Sequence, residues 1–143
     1  MIIRSQQVDA FQVQAEIGLV KKLAEYLQAY HADQIVKLPD NVTLVKYLPE
    51  KRLCELIQNG LSRARQYGMT WEASLGAFVL LMFISAPNFD QHPLVQRILR
   101  DGSVEPNARI DHLLQRVSEQ NWEAVEKYYE PAAWSQSFEE IEK

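Results

Sequence analysis

The chain has 143 residues, 47% hydrophobic and 24% charged, with a net charge of −4 at neutral pH. Those values describe one globular domain able to bury roughly 68–70% of its unfolded surface, and exclude a disordered or low-complexity chain. The acidic balance argues against nucleic acid as the partner. No segment reaches the about 20 apolar residues of a membrane span, and MIIRSQQVDAFQ lacks an apolar signal core, so a cytoplasmic protein is expected.

The first helix is expected from Gln6 to Tyr30, where Phe11, Ala15, Leu19, Leu23 and Leu27 recur every fourth residue. Gly18 interrupts it at a cost of about 1 kcal/mol relative to alanine. Between His31 and Pro49, the triplet Pro39-Asp40-Asn41 signals a turn. The apolar Val42, Leu44, Val45 and Leu48 fit either a short helix or a short strand. Helical flanks favour a short helix capped by Asp40 or Asn41.

Pro49 fits the first turn of a second helix whose buried face is Leu53, Leu56, Ile57, Leu61 and Ala64. Gly68 can end that helix in the left-handed conformation, and Thr70 then caps a third. This third helix, from about Leu75 to Ile84, lies in an apolar run from Ala77 to Ala86 broken only by Ser85. A helix apolar on nearly every side is wrapped by protein. It should therefore be the centre of the domain.

Pro87-Asn88 stops the run, Phe89 is expected to plug the core, and Asp90 to cap a short helix containing Leu94, Val95, Ile98 and Leu99. Ile110, Leu113, Leu114 and Val117 then show the i, i+3, i+4, i+7 spacing of another helix. Trp122, Val125 and Tyr129 mark a further amphipathic turn or two before Pro131. The expected fold is all-α: one domain of about six helices around the Leu75–Ile84 helix.

Chemistry is sparse. His31, His92 and His112 lie in separate segments, with no HExxH or CxxC spacing, so no metal and no cofactor are expected. Cys54 sits among Leu53, Leu56 and Ile57 and reads as a structural thiol. Lys51, Arg52, Arg63 and Arg65 are the densest basic group and read as a solvated helix face. A small enzyme would have to draw on Asp90, His92, or Glu123, Glu126 and Glu130, and paired carboxylates need a sheltered cleft to separate their pKa values.

The acidity is concentrated at the end of the chain. Residues 119–143 hold seven glutamates against Lys127 and Lys143. Residues 131–143 are set off as an acidic segment from a helical domain spanning 1–130. Within it Trp134, Phe138 and Ile141 follow at i, i+4, i+7, beside Glu139 and Glu140. These five are the candidate partner-binding residues. Either they dock on the chain's own core or they insert, as an acidic helix with aromatic anchors, into another protein.

Tyr67-Gly68-Met69-Thr70, the run Leu80-Leu81-Met82-Phe83, Pro87-Asn88-Phe89-Asp90 and Arg109-Ile110-Asp111 together form a pattern. It resembles small helical accessory proteins encoded beside effectors and spike proteins of bacterial type VI secretion systems. The likeness covers roughly residues 49–117 and brings no active-site motif. It implies a non-enzymatic, chaperone- or adaptor-like protein that binds a secreted effector or its carrier. An immunity protein that occludes a toxin is the alternative, with a small enzyme of unknown reaction as a third reading.

Overall fold

In the computed structural model residues 5–135 are described, with side chains from residue 15 onward. Helix α1 spans Ser5–Tyr30 and buries Leu19, Val20, Leu23, Ala24 and Leu27 of the expected stripe, while Ala15 is exposed. Lys21, Lys22 and Glu25 stay in water on the other side.

The segment that follows is a hairpin, not the short helix expected from its flanks. Strand β1, Ile35–Lys37, pairs antiparallel with β2, Val42–Leu44, placing Ile35 opposite Leu44 and Lys37 opposite Val42. Leu38 N–H donates to the Asn41 carbonyl at 2.8 Å, closing the turn around Pro39-Asp40. Local chemistry explains the result: Ile35, Val36, Val42 and Thr43 are β-branched and prefer extended backbone. Val36 is buried between exposed Ile35 and Lys37, a period of two rather than 3.6. A 3₁₀ turn at Val45–Tyr47 then leads to Pro49.

Helix α2, Glu50–Gln66, begins one residue after Pro49, which is its N-cap residue rather than part of its first turn. It ends as anticipated at Gly68, whose φ is 92°. Gly68 N–H donates to the Arg65 carbonyl and Met69 N–H to the Ala64 carbonyl, the paired bonds of a Schellman cap.

Helix α3, Glu72–Ile84, is held at its start from a distance. Thr70 does not cap it. The Asn107 carboxamide oxygen instead accepts from the N–H groups of Thr70 and Trp71, both at 2.9 Å. The Thr70 hydroxyl accepts in turn from the Asn107 amide nitrogen. Leu75, Phe78, Val79, Met82 and Phe83 are buried, as a central helix requires. The wrapping is incomplete, however: Leu80 and Leu81 are half-buried and Ile84 is 43% exposed.

Beyond α3 come a 3₁₀ turn at Phe89–Gln91, α4 at Pro93–Leu99, α5 at Arg109–Arg116 and α6 at Glu119–Lys127. Phe89 plugs the core against Phe78, ring centroids 4.9 Å apart. Asp90 does not cap α4; His92 does, its Nδ1 accepting from Leu94 N–H. A last 3₁₀ turn, Pro131–Trp134, packs on α2. Among the described residues the fold is mostly helical, with six α-helices and one hairpin around a hydrophobic cluster.

The α2–α3 contact is close at Gly60, where an added Cβ would lie 2.7 Å from Met82 Sδ and 3.0 Å from Val79 Cγ2. Overpacking there costs about 1–3 kcal/mol, more than the about 1 kcal/mol alanine gains in helix propensity. Nothing lies within 4 Å of the same position on Gly18. Gly18→Ala should therefore raise the melting temperature and Gly60→Ala lower it. Differential scanning calorimetry checks this, and a stabilised Gly60→Ala would contradict the close packing.

Candidate interaction surface

The strongest electrostatic feature is buried. Arg63 on α2 and Asp90 after α3 have side chains only 1% exposed, and their guanidinium and carboxylate are paired. Arg63 also donates to the Pro87 carbonyl at 2.6 Å, and Tyr67 donates its hydroxyl to Asp90 Oδ2 at 3.0 Å. Burial pushes the Asp90 carboxyl up, while the Arg63 guanidinium and the Tyr67 phenol pull it back down. The group joins α2, the turn after α3 and, through the Ala133 carbonyl at 3.5 Å from Arg63, the end of the described chain. It is a structural clamp, with Asp90 fully inside it.

Arg63 thus leaves the basic group proposed on α2. Arg65 pairs with Glu16 and Arg52 with Glu55, so those charges are spread around the helix. A sequence signal for Arg63 existed: it lies seven residues after Leu56 and three after Gly60, inside the buried stripe.

Burial, and secondly the Asp90 carboxylate, raises the Tyr67 phenol above its ordinary pKa; burial also raises Tyr129. Both groups therefore hold their protons in the folded state after the unfolded chain has begun to lose them. Their contribution to stability is complete below the ordinary tyrosine value of about 10, and is lost as pH rises from there. Urea unfolding at intervals from pH 9 to 11 should show a shallower loss of stability in Tyr67→Phe and Tyr129→Phe than in wild type. Identical slopes would contradict this.

Of the five candidate partner-binding residues, only Trp134 is described, and it is 0% exposed. Its ring lies 4.8 Å from that of Phe83, centroid to centroid. Its Nε1–H donates to the Tyr129 hydroxyl at 2.8 Å and its carbonyl accepts from the Asn59 amide at 2.8 Å. The chain's own core holds Trp134. The same contacts tie the turn Pro131–Trp134 to α2 and α3. Phe138, Glu139, Glu140 and Ile141 lie outside the described residues.

Glu123, Glu126 and Glu130 are exposed, and Glu130 caps the last turn by accepting from Ala132 N–H. Cys54 is half-buried, and burial together with Glu50 pushes its thiol up. Among the described residues, no three His, Cys, Asp or Glu side chains gather as a metal-binding group. No helix among them is long and apolar enough to cross a membrane.

Three of the shallow depressions on the surface, of about 480, 260 and 480 Å³, follow one line. The first runs from Ala29 to Ile35. The second shares Gln34 and Ile35 with it and adds Ile84, Ser85 and Glu126. The third shares Lys37, Glu126 and Tyr129 with the second and continues to Lys127 and Pro131. The line follows the side of β1 away from β2. Sequence reasoning missed it because it depends on a hairpin read as a helix.

Comparisons with protein-family profiles, with characterised proteins and with solved structures return no match.

Proposed function

We propose that this chain is a non-enzymatic accessory protein that binds another protein, in the manner of a chaperone or adaptor. The observation that carries the reading is the line of depressions beside β1, with Ile35 50% exposed and Ile84 43% exposed along it. Apolar side chains that are exposed together and rimmed by polar ones mark an interaction surface. The candidate acids weigh in the same direction: Asp90 is consumed by Arg63 and Tyr67, and Glu123 and Glu126 stand on an open surface. A secreted effector or its carrier as the partner, bound in the cytoplasm, is the reading that the sequence resemblance suggests.

The test is affinity capture with the full-length chain in its native host, followed by titration of the recovered protein against purified chain. One protein recovered in stoichiometric amount and binding saturably in calorimetry is the expected result. Recovery of no such protein would overturn the reading. If the captured protein is a toxin whose activity the chain blocks, the immunity reading replaces that of a chaperone.

A further inference from the structure

Gly60 meets a packing demand and creates a chemical weakness. It lies in the middle of α2, where an added Cβ would stand 2.7 Å from Met82 Sδ, so the contact with α3 calls for a residue without a side chain. It also follows Asn59, whereas Asn41, Asn88, Asn107 and Asn121 precede Val42, Phe89, Ala108 and Trp122. Asparagine is thermolabile, because the backbone nitrogen of the next residue can displace its side-chain amide. Glycine leaves that nitrogen uncrowded and the backbone free to bend toward it. By sequence, Asn59 is the most labile asparagine of the chain.

The fold withholds the reaction. Ring closure needs a ψ at Asn59 far from the helical value of about −42°, and the helix directs the Gly60 N–H to the carbonyl four residues back. The Asn59 side chain is held as well, its amide nitrogen donating to the Trp134 carbonyl at 2.8 Å. Freeing both groups means unwinding α2 beside Leu56, Ile57 and Leu61, each at most 1% exposed. Core helices open only at a free energy close to that of global unfolding.

We propose that Asn59-Gly60 is a self-modification site, held off by the fold and reacting whenever α2 opens, whose main product cannot rebuild the α2–α3 contact. The inference is independent of the protein-binding reading. In the open chain the Gly60 nitrogen gives its proton to hydroxide and attacks the Asn59 Cγ. The new C–N bond closes a succinimide, and ammonia leaves, taking a proton back from water. Water then opens the ring at either carbonyl, giving aspartate or, chiefly, isoaspartate, with no change of oxidation state. Isoaspartate adds a main-chain methylene to α2 directly before Gly60. Leu56 and Ile57 then fall out of register with Leu61, at the place where α2 and α3 have no slack. Aspartate, the lesser product, trades the donor for a carboxylate facing the Trp134 carbonyl.

The test incubates the full chain in mildly alkaline buffer, folded or in concentrated guanidinium chloride, with a thiol reductant to protect Cys54. Mass spectrometry of the tryptic peptide 53–63 reads the conversion of amide to acid. Asn59 should convert at least about a hundredfold faster in denaturant, a lower bound set by the stability of an ordinary domain. Asp90→Ala should raise the rate in buffer at least about tenfold, because it opens α2 more often. After dilution from denaturant, isoaspartate should be nearly absent from the refolded fraction and enriched in the chains that fail to refold. Wild type should lose refolding yield with time in denaturant, and Asn59→Gln, whose longer side chain closes a ring slowly, should not.

Equal rates in buffer and in denaturant would overturn the proposal. A rate in buffer that ignores Asp90→Ala would place the reaction in the folded chain, and overturn it too. So would equal isoaspartate in refolded and unrefolded wild-type chains, a measurement that holds even if Asn59→Gln fails to fold. A refolding yield that falls as fast in Asn59→Gln as in wild type would remove this site as the cause of the loss.

Discussion

Asp90→Ala should lower the melting temperature by on the order of 10–15 °C, an effect far beyond that of a surface substitution. The variant leaves the Arg63 guanidinium 1% exposed with its counter-charge gone. Breaking a buried pair from one side costs about 3–5 kcal/mol, because the remaining charge is left without compensation. A domain of this size moves by about 3–4 °C for each kcal/mol. Tyr67 also loses the acceptor for its hydroxyl. The carbonyls of Pro87 and Ala133 still accept from Arg63, so the charge stays solvated in part and the fold survives.

The converse variant isolates the pair itself. Arg63→Met combined with Asp90→Leu replaces both charges by apolar groups of similar bulk. The double variant should be more stable than the sum of its single changes, with an interaction energy of about 1–3 kcal/mol. Thermal melts of the four proteins measure the cycle. Asp90→Ala melting within 3 °C of wild type would show that the pair is not the clamp described.

Removing the chain after Glu130 should leave the protein less stable, by a similar amount, than removing it after Ser135. Trp134 heads the large, fully buried side chains of the molecule. Deleting a buried tryptophan costs about 3–5 kcal/mol through lost transfer energy and the cavity left behind. The earlier cut also frees the Asn59 amide and takes away the donor that fixes the Tyr129 hydroxyl. The later cut keeps every one of those contacts and removes Phe138, Glu139, Glu140 and Ile141 together.

The two truncations thus separate what the sequence pattern joined. Thermal melts of both, with binding of the captured partner measured on the later one, assign the core role and the partner role to different residues. Trp134→Ala is the point-mutant control, and should destabilise nearly as much as the longer deletion. Equal stability of the two truncations would mean that Trp134 contributes nothing to the fold.

Periodicity in the sequence was enough for α1, α2 and the helical class, because each of the two carries a repeated apolar stripe that only a helix can turn to one side, and for α3 the unbroken apolar run was enough. The Gly68 cap was legible for the same local reason: a residue at φ 92° is a glycine problem, solved within six residues of chain. Features that join distant segments were not legible. Asn107 caps α3 from 36 residues beyond Trp71, and Thr70, the local candidate, serves only to hold it. Asp90 looked like a cap until Arg63 took it, and Trp134 is held by Phe83 and Tyr129. The hairpin was read as a helix because its three-residue strands carry little pattern of their own. The depressions beside it appear only once the hairpin is in place. Local geometry follows from neighbours in sequence, whereas a buried charge or a surface depression is defined by what the rest of the fold brings to it.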